Sequence, residues 1–219
     1  FKQLLAKLAA DERIKHTLQD KNEKEILQLL GLAEAHPEGL FAPDTYIFSL
    51  NETDVNVLKH LYGKQQKILQ QAWQTRADNL PYKTSYEALI MASIVEKETG
   101  AAVERPQIAG VFIKRLQLGM RLQTDPTVIY GMSDNYNGNI RKADLLAYTP
   151  YNTYKINGLP PTPIALPSKE AIKAALNPLI NDKIYFVAKG DGSGMHNFSA
   201  NLAQHNQAVA DYLQARKGK

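Results

Sequence analysis

Two glutamates placed two residues apart, Glu96 and Glu98, have the side chains best suited to proton transfer in this sequence. They follow the apolar run from Ala88 to Val95, which has helical spacing. At about 100° per residue, Glu98 projects from the middle of the apolar arc that contains Met91 and Ile94, and Glu96 falls toward its edge. We therefore expect Glu98 to face the core or a cleft, and Glu96 to face water or a partner.

This position of Glu98 favours a protonated carboxyl group. A carboxylate on an apolar face is costly to ionise, and the negative end of the helix dipole opposes the charge as well, so both effects raise the pKa. A carboxyl group that keeps its proton near neutral pH can act as a general acid. The structural alternative is that Glu98 pairs with Arg115 or Arg121 and closes the core.

Most of the elements that would hold this site are predicted to be helices. Helical spacing covers residues 1–34, 54–77, 85–99, 106–118, 168–176 and 200–215. Residues 121–130 are β-prone, with the clearest strand at 127–130, and strands at 183–188 and 196–198 form a hairpin around the turn 190–194. Residues 135–158 are rich in Asn, Gly, Thr and Tyr, which predicts long ordered loops.

This order of elements indicates an α+β fold, a helix-rich domain with a small, mostly antiparallel sheet in its second half. We expect residues 1–80 to form a helical N-terminal part. Residues 81–219 would then form the core that carries Glu98 and the substrate cleft. The first residue is Phe1 and not Met, so we interpret the chain as a piece of a longer protein.

Composition narrows the classes of partner. The 219 residues include no cysteine, which excludes disulfides and thiolate metal sites, and no apolar run has the length of a membrane span. The net charge of +4 favours anionic partners such as nucleic acid or a cell-wall polymer, although a solvated surface explains it equally well. No Gly-rich phosphate loop or basic-aromatic stripe supports nucleic acid. We expect no metal, because metal-ligand spacing is missing among His16, His36, His60 and His205. We also expect no cofactor.

The sequence resembles the YceG-like endolytic murein transglycosylases along essentially its whole length. The resemblance lies in Met91–Thr99, Val111–Leu116, Gly119–Gly131, Tyr151–Tyr154, Gly158–Pro161 and His196–Phe198. The block from Gly119 to Gly131 is the most specific. The family's catalytic glutamate maps onto Glu98, and Thr99 after it matches the Glu-Ser or Glu-Thr step of other lytic transglycosylases.

The resemblance implies non-hydrolytic cleavage of the β-1,4 bond between N-acetylmuramic acid and N-acetylglucosamine, with 1,6-anhydro ends on the product. Glu98 would act first as general acid and then as base. The family also implies peptidoglycan glycan strands as substrate, and we consider peptidoglycan synthases as candidate partners. It further implies a location at the periplasmic face of the bacterial inner membrane, with an anchor helix and a LysM-like subdomain that would precede Phe1.

A sugar cleft needs hydrogen-bonding side chains and flat rings, and we predict substrate contacts from two clusters and from the hairpin. The candidate residues are Gln123, Asp125, Thr127, Tyr130, Tyr151, Asn152, Thr153, Tyr154, His196 and Asn197. Each has a structural alternative, since Thr and Tyr suit strands and Asn suits turns. Asp125 is also a rival for a second catalytic carboxylate, or a cap before Pro126.

Two other functions stay open at this point. A non-catalytic peptidoglycan-binding module would position other enzymes and would not need Glu98. A hydrolytic muramidase would use water and leave reducing ends in place of anhydro ends.

Overall fold

The computed structural model describes residues 1–217, except for the side chain of Lys217. The helices and strands are α1 (Lys2–Ala9), α2 (Glu23–Leu30), α3 (Asp54–Gln74), α4 (Ser85–Glu98), α5 (Arg105–Gln117), α6 (Asp125–Met132), α7 (Lys142–Leu146), α8 (Lys169–Leu176), β1 (Tyr185–Ala188), β2 (His196–Ser199) and α9 (Leu202–Lys217). Short 3-10 helices cover Ala102–Glu104 and Ser133–Asn135. The predicted α+β fold is confirmed.

Side-chain caps determine where two of the predicted helices begin. The Thr84 hydroxyl accepts a hydrogen bond from the Glu87 backbone N–H at 3.3 Å, and α4 begins at the next residue. The Ser168 hydroxyl accepts in the same way from the Ala171 N–H at 3.2 Å, at the start of α8. The helices predicted at 85–99 and 168–176 are therefore confirmed, as are those near 54–77, 106–118 and 200–215.

Helix α4 lies at the centre of the core. Every residue from Ala88 to Val95 is buried, and both α5 and α8 pack against α4. Helix α3 also packs against α8 and α4. Both ends of α4, residues 85–87 and 96–98, reach the surface.

Helix α5 is crossed closely by the chain that follows α8. A β-carbon on Gly110 would lie 2.1 Å from the Leu179 carbonyl oxygen. The Leu179 N–H donates to the Pro106 carbonyl oxygen at 2.8 Å, which fixes this crossing. The missing side chain of Gly110 is therefore a requirement of the packing.

The predicted hairpin is confirmed as the antiparallel pair of β1 and β2, in which Phe186 lies opposite Phe198. The Phe186 ring also packs edge-on against Phe112 of α5, with ring centroids 5.7 Å apart. This aromatic contact joins the small sheet to the helical core.

The strand predicted at residues 127–130 is wrong, because Asp125–Met132 form α6. Pro126 lies in the first turn, where its fixed φ favours a helix. The Thr127 hydroxyl donates to the Thr124 carbonyl oxygen at 2.7 Å, a local contact that supports the turn. These contacts override the β-propensity of the Thr-Val-Ile-Tyr run.

The helix predicted over residues 1–34 is only partly correct, since helix is confined to α1 and α2. Asn22 begins α2 with a capping box, which separates it from the preceding segment. Within that segment, the Lys15 N–H donates to the Glu52 carbonyl oxygen at 2.8 Å. Contacts with a distant segment therefore replace helical bonds there.

Hydrogen bonds join the predicted parts 1–80 and 81–219. Gln65 of α3 is fully buried, and its Nε2 donates to the carbonyl oxygens of Gly39 at 3.0 Å and Pro167 at 3.2 Å. The division of the chain into these two parts stays a prediction. Within residues 1–217, no helix has both the length and the apolar character that crossing a membrane requires.

Candidate active site

Glu98 is the last residue of α4, and the chain leaves the helix at Thr99 in an extended conformation. The Glu98 side chain is partly buried, and its Oε1 accepts a hydrogen bond from the hydroxyl of Thr124, which immediately precedes α6. The carboxyl group thus lies where the end of one helix meets the beginning of another.

The two arginines considered as partners of Glu98 bind backbone groups. Arg115 Nη1 donates to the Leu122 carbonyl oxygen at 2.6 Å, and Arg121 Nη1 donates to that of Tyr154 at 3.0 Å. In the described part of the chain, neither forms a salt bridge with Glu98. The Glu98 carboxyl group is therefore not neutralised by a direct ion pair with either arginine.

Burial raises the pKa of Glu98 from its ordinary value of 4.5 to about 7. The hydrogen bond from Thr124 opposes the rise, the negative charge of Asp125 adds to it, and the positive charge of Arg115 opposes it. The direction agrees with the expectation from the sequence. A carboxyl group with this pKa can both release and accept a proton near neutral pH.

Three threonines, Thr124, Thr127 and Thr153, form a buried cluster beside Glu98, which we call the threonine cluster. The Thr153 hydroxyl accepts from the Thr124 N–H at 3.1 Å and lies 2.8 Å from the Thr127 hydroxyl. Gln123, whose side chain is exposed, has a left-handed φ of 51° and donates its N–H to the Thr153 carbonyl oxygen at 3.2 Å. Thr127 and Thr153, predicted as substrate contacts, have no exposed surface, so their hydroxyls hold the protein itself together.

Asp125 and Tyr154 form a second polar pair near Glu98. Asp125 is exposed, and its Oδ1 accepts a hydrogen bond from the Tyr154 hydroxyl at 2.7 Å. Burial raises the pKa of Tyr154, and the bond to Asp125 raises it further, so the phenol remains a hydrogen-bond donor at neutral pH. Asp125 is thus already the acceptor of one protein hydrogen bond.

Tyr130 and Tyr151 lie side by side, with ring centroids 4.9 Å apart. Both line a cavity of about 1320 Å³, whose wall also includes Glu96 and Lys97 from the end of α4. Glu98 is not one of the residues that line this cavity. The predicted contacts of the two tyrosines with substrate therefore stay a prediction.

Asn152, also predicted to contact substrate, is buried and holds its own loop. Its Nδ2 donates to the carbonyl oxygens of Ala147 at 2.6 Å, Leu145 at 3.1 Å and Asp144 at 3.3 Å. Its Oδ1 accepts from the Tyr154 N–H at 2.9 Å. Asn152 therefore positions the segment that presents Tyr154.

The hairpin residues have surroundings different from those of Glu98. His196 Nδ1 lies 2.8 Å from Glu104 Oε2, and the His196 N–H donates to Glu104 Oε1 at 2.9 Å. Asn197 lies opposite Val187 in the sheet. The polar contacts of His196 thus link β2 to the turn that precedes α5.

Glu96, two residues before Glu98, forms its polar contacts with other residues of the protein. Its Oε2 accepts from the Ser168 N–H at 3.0 Å and from the Ser168 hydroxyl at 2.5 Å, and Arg105 Nη2 lies 3.5 Å from its Oε1. It was expected to face water or a partner, but it holds the beginning of α8 against the end of α4.

Sequence reasoning missed two residues with central contacts, Thr124 and Glu104. Thr124 lies within the most specific block of the resemblance, but a lone threonine has no spacing that marks it. Glu104 meets His196 across 92 residues, which no local pattern indicates. Among residues 1–217, no group of three His, Cys, Asp or Glu side chains is arranged to hold a metal ion.

Comparison with known proteins finds similar sequences and a similar solved structure. The model of the YceG-like family matches residues 1–211. The endolytic murein transglycosylase of Bacillus subtilis (strain 168) is 32% identical over 219 residues, which are 100% of this chain and 60% of that protein. The protein of the same name from Streptococcus pneumoniae serotype 2 (strain D39) is 32% identical over 185 residues, 82% of this chain and 33% of that protein.

A solved structure is similar as well. The 2.6 Å crystal structure of a yceG-like protein from Listeria monocytogenes superposes with a TM-score of 0.67 at 30% identity, covering 94% of this chain and 66% of that one. The present chain thus spans 60% or less of the two curated relatives described above.

Proposed function

Because the chain belongs to the YceG-like family, we propose that it is an endolytic lytic transglycosylase that cleaves peptidoglycan glycan strands with Glu98 as acid and base. The observation that carries this proposal is the Glu98 carboxyl group itself, partly buried at the end of α4, with its pKa raised to about 7. The names of the relatives from Bacillus and Streptococcus support the reaction class.

The first chemical step is acid catalysis. Protonated Glu98 donates its proton to the oxygen that links N-acetylmuramic acid to N-acetylglucosamine, while the bond from C1 of the muramyl ring to that oxygen breaks. The N-acetylglucosamine side leaves with a free 4-hydroxyl group, and positive charge develops at C1.

The second step uses the same carboxyl group as a base. The Glu98 carboxylate takes the proton of the muramyl 6-hydroxyl while O6 bonds to C1, which closes the 1,6-anhydro ring. The proton count of Glu98 is restored, and no water is consumed. Because the nucleophile belongs to the same sugar, one carboxyl group can serve both steps.

A hydrolytic muramidase is the nearest alternative, and it would use a second carboxylate to activate water or to attack C1. Asp125 is the candidate, because its charge is close enough to raise the pKa of Glu98. The hydrogen bond from Tyr154 favours a structural role for Asp125. A peptidoglycan substrate implies a cell-wall location, and the inner-membrane anchor and synthase partners stay predictions.

The test is digestion of purified peptidoglycan with the protein and its variants, followed by mass spectrometry of the products. We expect fragments lighter by one water than hydrolytic fragments, and Glu98→Gln should lower their formation about 10²- to 10⁴-fold. Glu96→Gln is the matched control, because an amide keeps an acceptor for Ser168, and it should stay within a few-fold of the parent.

Three other outcomes would point elsewhere. Reducing ends that disappear in Asp125→Asn would indicate a hydrolase. Binding without cleavage would indicate a peptidoglycan-binding module. Full activity of Glu98→Gln would refute the assignment of Glu98.

A further inference from the structure

Thr124 is the residue whose side chain donates a hydrogen bond to the Glu98 carboxyl group. We propose that Thr124 is a positioning residue whose hydroxyl holds Oε1 of Glu98 and thereby directs Oε2 toward the bond to be cleaved. This inference rests on the proposed function, because it assigns a task to a residue that acts through Glu98.

The geometry around Thr124 supports this role. Its side chain is buried, with 2% of the residue exposed, and its backbone is extended just before the first turn of α6. Among residues 1–217, Glu98 Oε2 has no hydrogen-bond partner, so the two carboxyl oxygens differ. One oxygen is held by the protein, and the other is available for proton transfer.

Thr153 holds the backbone of Thr124 in place. It accepts the Thr124 N–H with its hydroxyl and the Gln123 N–H with its carbonyl oxygen, at 3.1 Å and 3.2 Å. Gln123 has the left-handed φ of 51°, which is uncommon for a residue with a side chain. The turn 123–124 is therefore fixed by two hydrogen bonds to one residue.

The charges that face Glu98 come from three elements: Arg115 on α5, Asp125 on α6 and Tyr154 in the loop after Asn152. All three remain when Thr124 is changed. The Thr124 hydroxyl stabilises the ionised carboxylate and so opposes the effect of burial. Without this hydroxyl, the pKa of Glu98 should rise further above about 7.

The decisive measurement is an NMR titration of ¹³C-labelled glutamate carboxyl groups, with the Glu98 signal assigned by its loss in Glu98→Gln. Thr124→Val removes the donor at nearly constant volume and should raise the Glu98 midpoint by about one pH unit. Thr124→Ser keeps the donor and should restore the parent value. Thr149→Val is the matched control, because its buried hydroxyl has no partner, and it should leave the midpoint unchanged.

Kinetics give a second readout that a merely structural role would not move. In Thr124→Val, kcat for anhydro products should fall about 10- to 100-fold with little change in KM. The alkaline limb of the pH profile should shift upward with the NMR midpoint, because the general acid holds its proton to higher pH. Thr124→Ser should restore both values.

A Thr124→Val midpoint equal to that of the parent, or equal to that of Thr124→Ser, would overturn the proposal. If Thr124→Val does not fold, Thr124→Ala removes the same donor, and its Glu98 midpoint is compared with that of Thr124→Ser in the same way. A parent protein that makes no anhydro products would refute the proposed function. The titration would still decide whether Thr124 controls Glu98.

Discussion

At the scale of single residues, Glu96 and Glu98 differ because of what covers them. The helical wheel predicts one apolar stripe on α4, but α4 is buried on every side from Ala88 to Val95. What distinguishes Glu98 is the threonine cluster that packs beside it, whereas Glu96 meets Ser168. The rise of the Glu98 pKa follows from burial, whether α4 is apolar on one stripe or buried on every side.

This pKa predicts how stability depends on pH. The folded protein keeps the Glu98 proton up to about pH 7, whereas the unfolded chain releases it near 4.5, so folding becomes less favourable as pH rises between these values. Glu98→Gln cannot ionise and avoids this loss. The free energy of unfolding of Glu98→Gln relative to the parent should therefore increase by about 2 to 3 kcal/mol from pH 5 to pH 8.

Urea denaturation at the two pH values measures this difference. Glu96→Gln serves as the control, and its difference from the parent should change much less over the same range. A constant difference between Glu98→Gln and the parent would mean that Glu98 is ionised in the folded state at pH 5.

At the scale of elements, helix ends and the hairpin were predictable because their signals are local. Thr84, Ser168 and the turn at 190–194 each act within a few residues. Helix α6 was not predicted, because its residues have high β-propensity. In the structure, Pro126 in the first turn and a side-chain hydrogen bond of Thr127 favour the helix instead. A propensity averaged over a run does not include such specific contacts.

Two glycines within helices should respond in opposite ways to alanine. Gly110→Ala places a methyl group against the Leu179 carbonyl, so we expect the free energy of unfolding to fall by about 1 to 3 kcal/mol. In Gly63→Ala, the added β-carbon in α3 meets no atom within 4 Å. The higher helix propensity of alanine should raise the free energy of unfolding by about 0.5 to 1 kcal/mol. Thermal and urea unfolding would measure both, and equal effects would contradict the close crossing of α5.

At the scale of the whole molecule, contacts between distant segments decide the arrangement, and the sequence does not reveal them. Gln65 reaches Pro167 across 102 residues, and Glu98 reaches Thr124 across 26. Periodicity indicates which face of an element is apolar, but not which other element covers it. The candidate site could therefore be predicted as a set of segments, while its threonine cluster could not.

The bonds between α3 and the segments around α8 predict that residues 1–80 do not unfold separately. Trp73, the one tryptophan of the chain, lies in α3 and reports on that part through its fluorescence. Its thermal transition should coincide with that of helix content measured by circular dichroism. Two separate transitions would instead support independent folding of the parts 1–80 and 81–219.

Asn152 makes the loop beside the site sensitive to slow chemical modification. Slow deamidation would convert its amide into a carboxylate, and a negative oxygen would then face three carbonyl oxygens that now receive hydrogen bonds. The loop would lose the bonds that present Tyr154 and, through the adjacent Thr153, the support of Glu98. Because Asn152 is 1% exposed, the fold that depends on this amide also shields it from water, so chemical ageing of the site is coupled to transient opening of the loop.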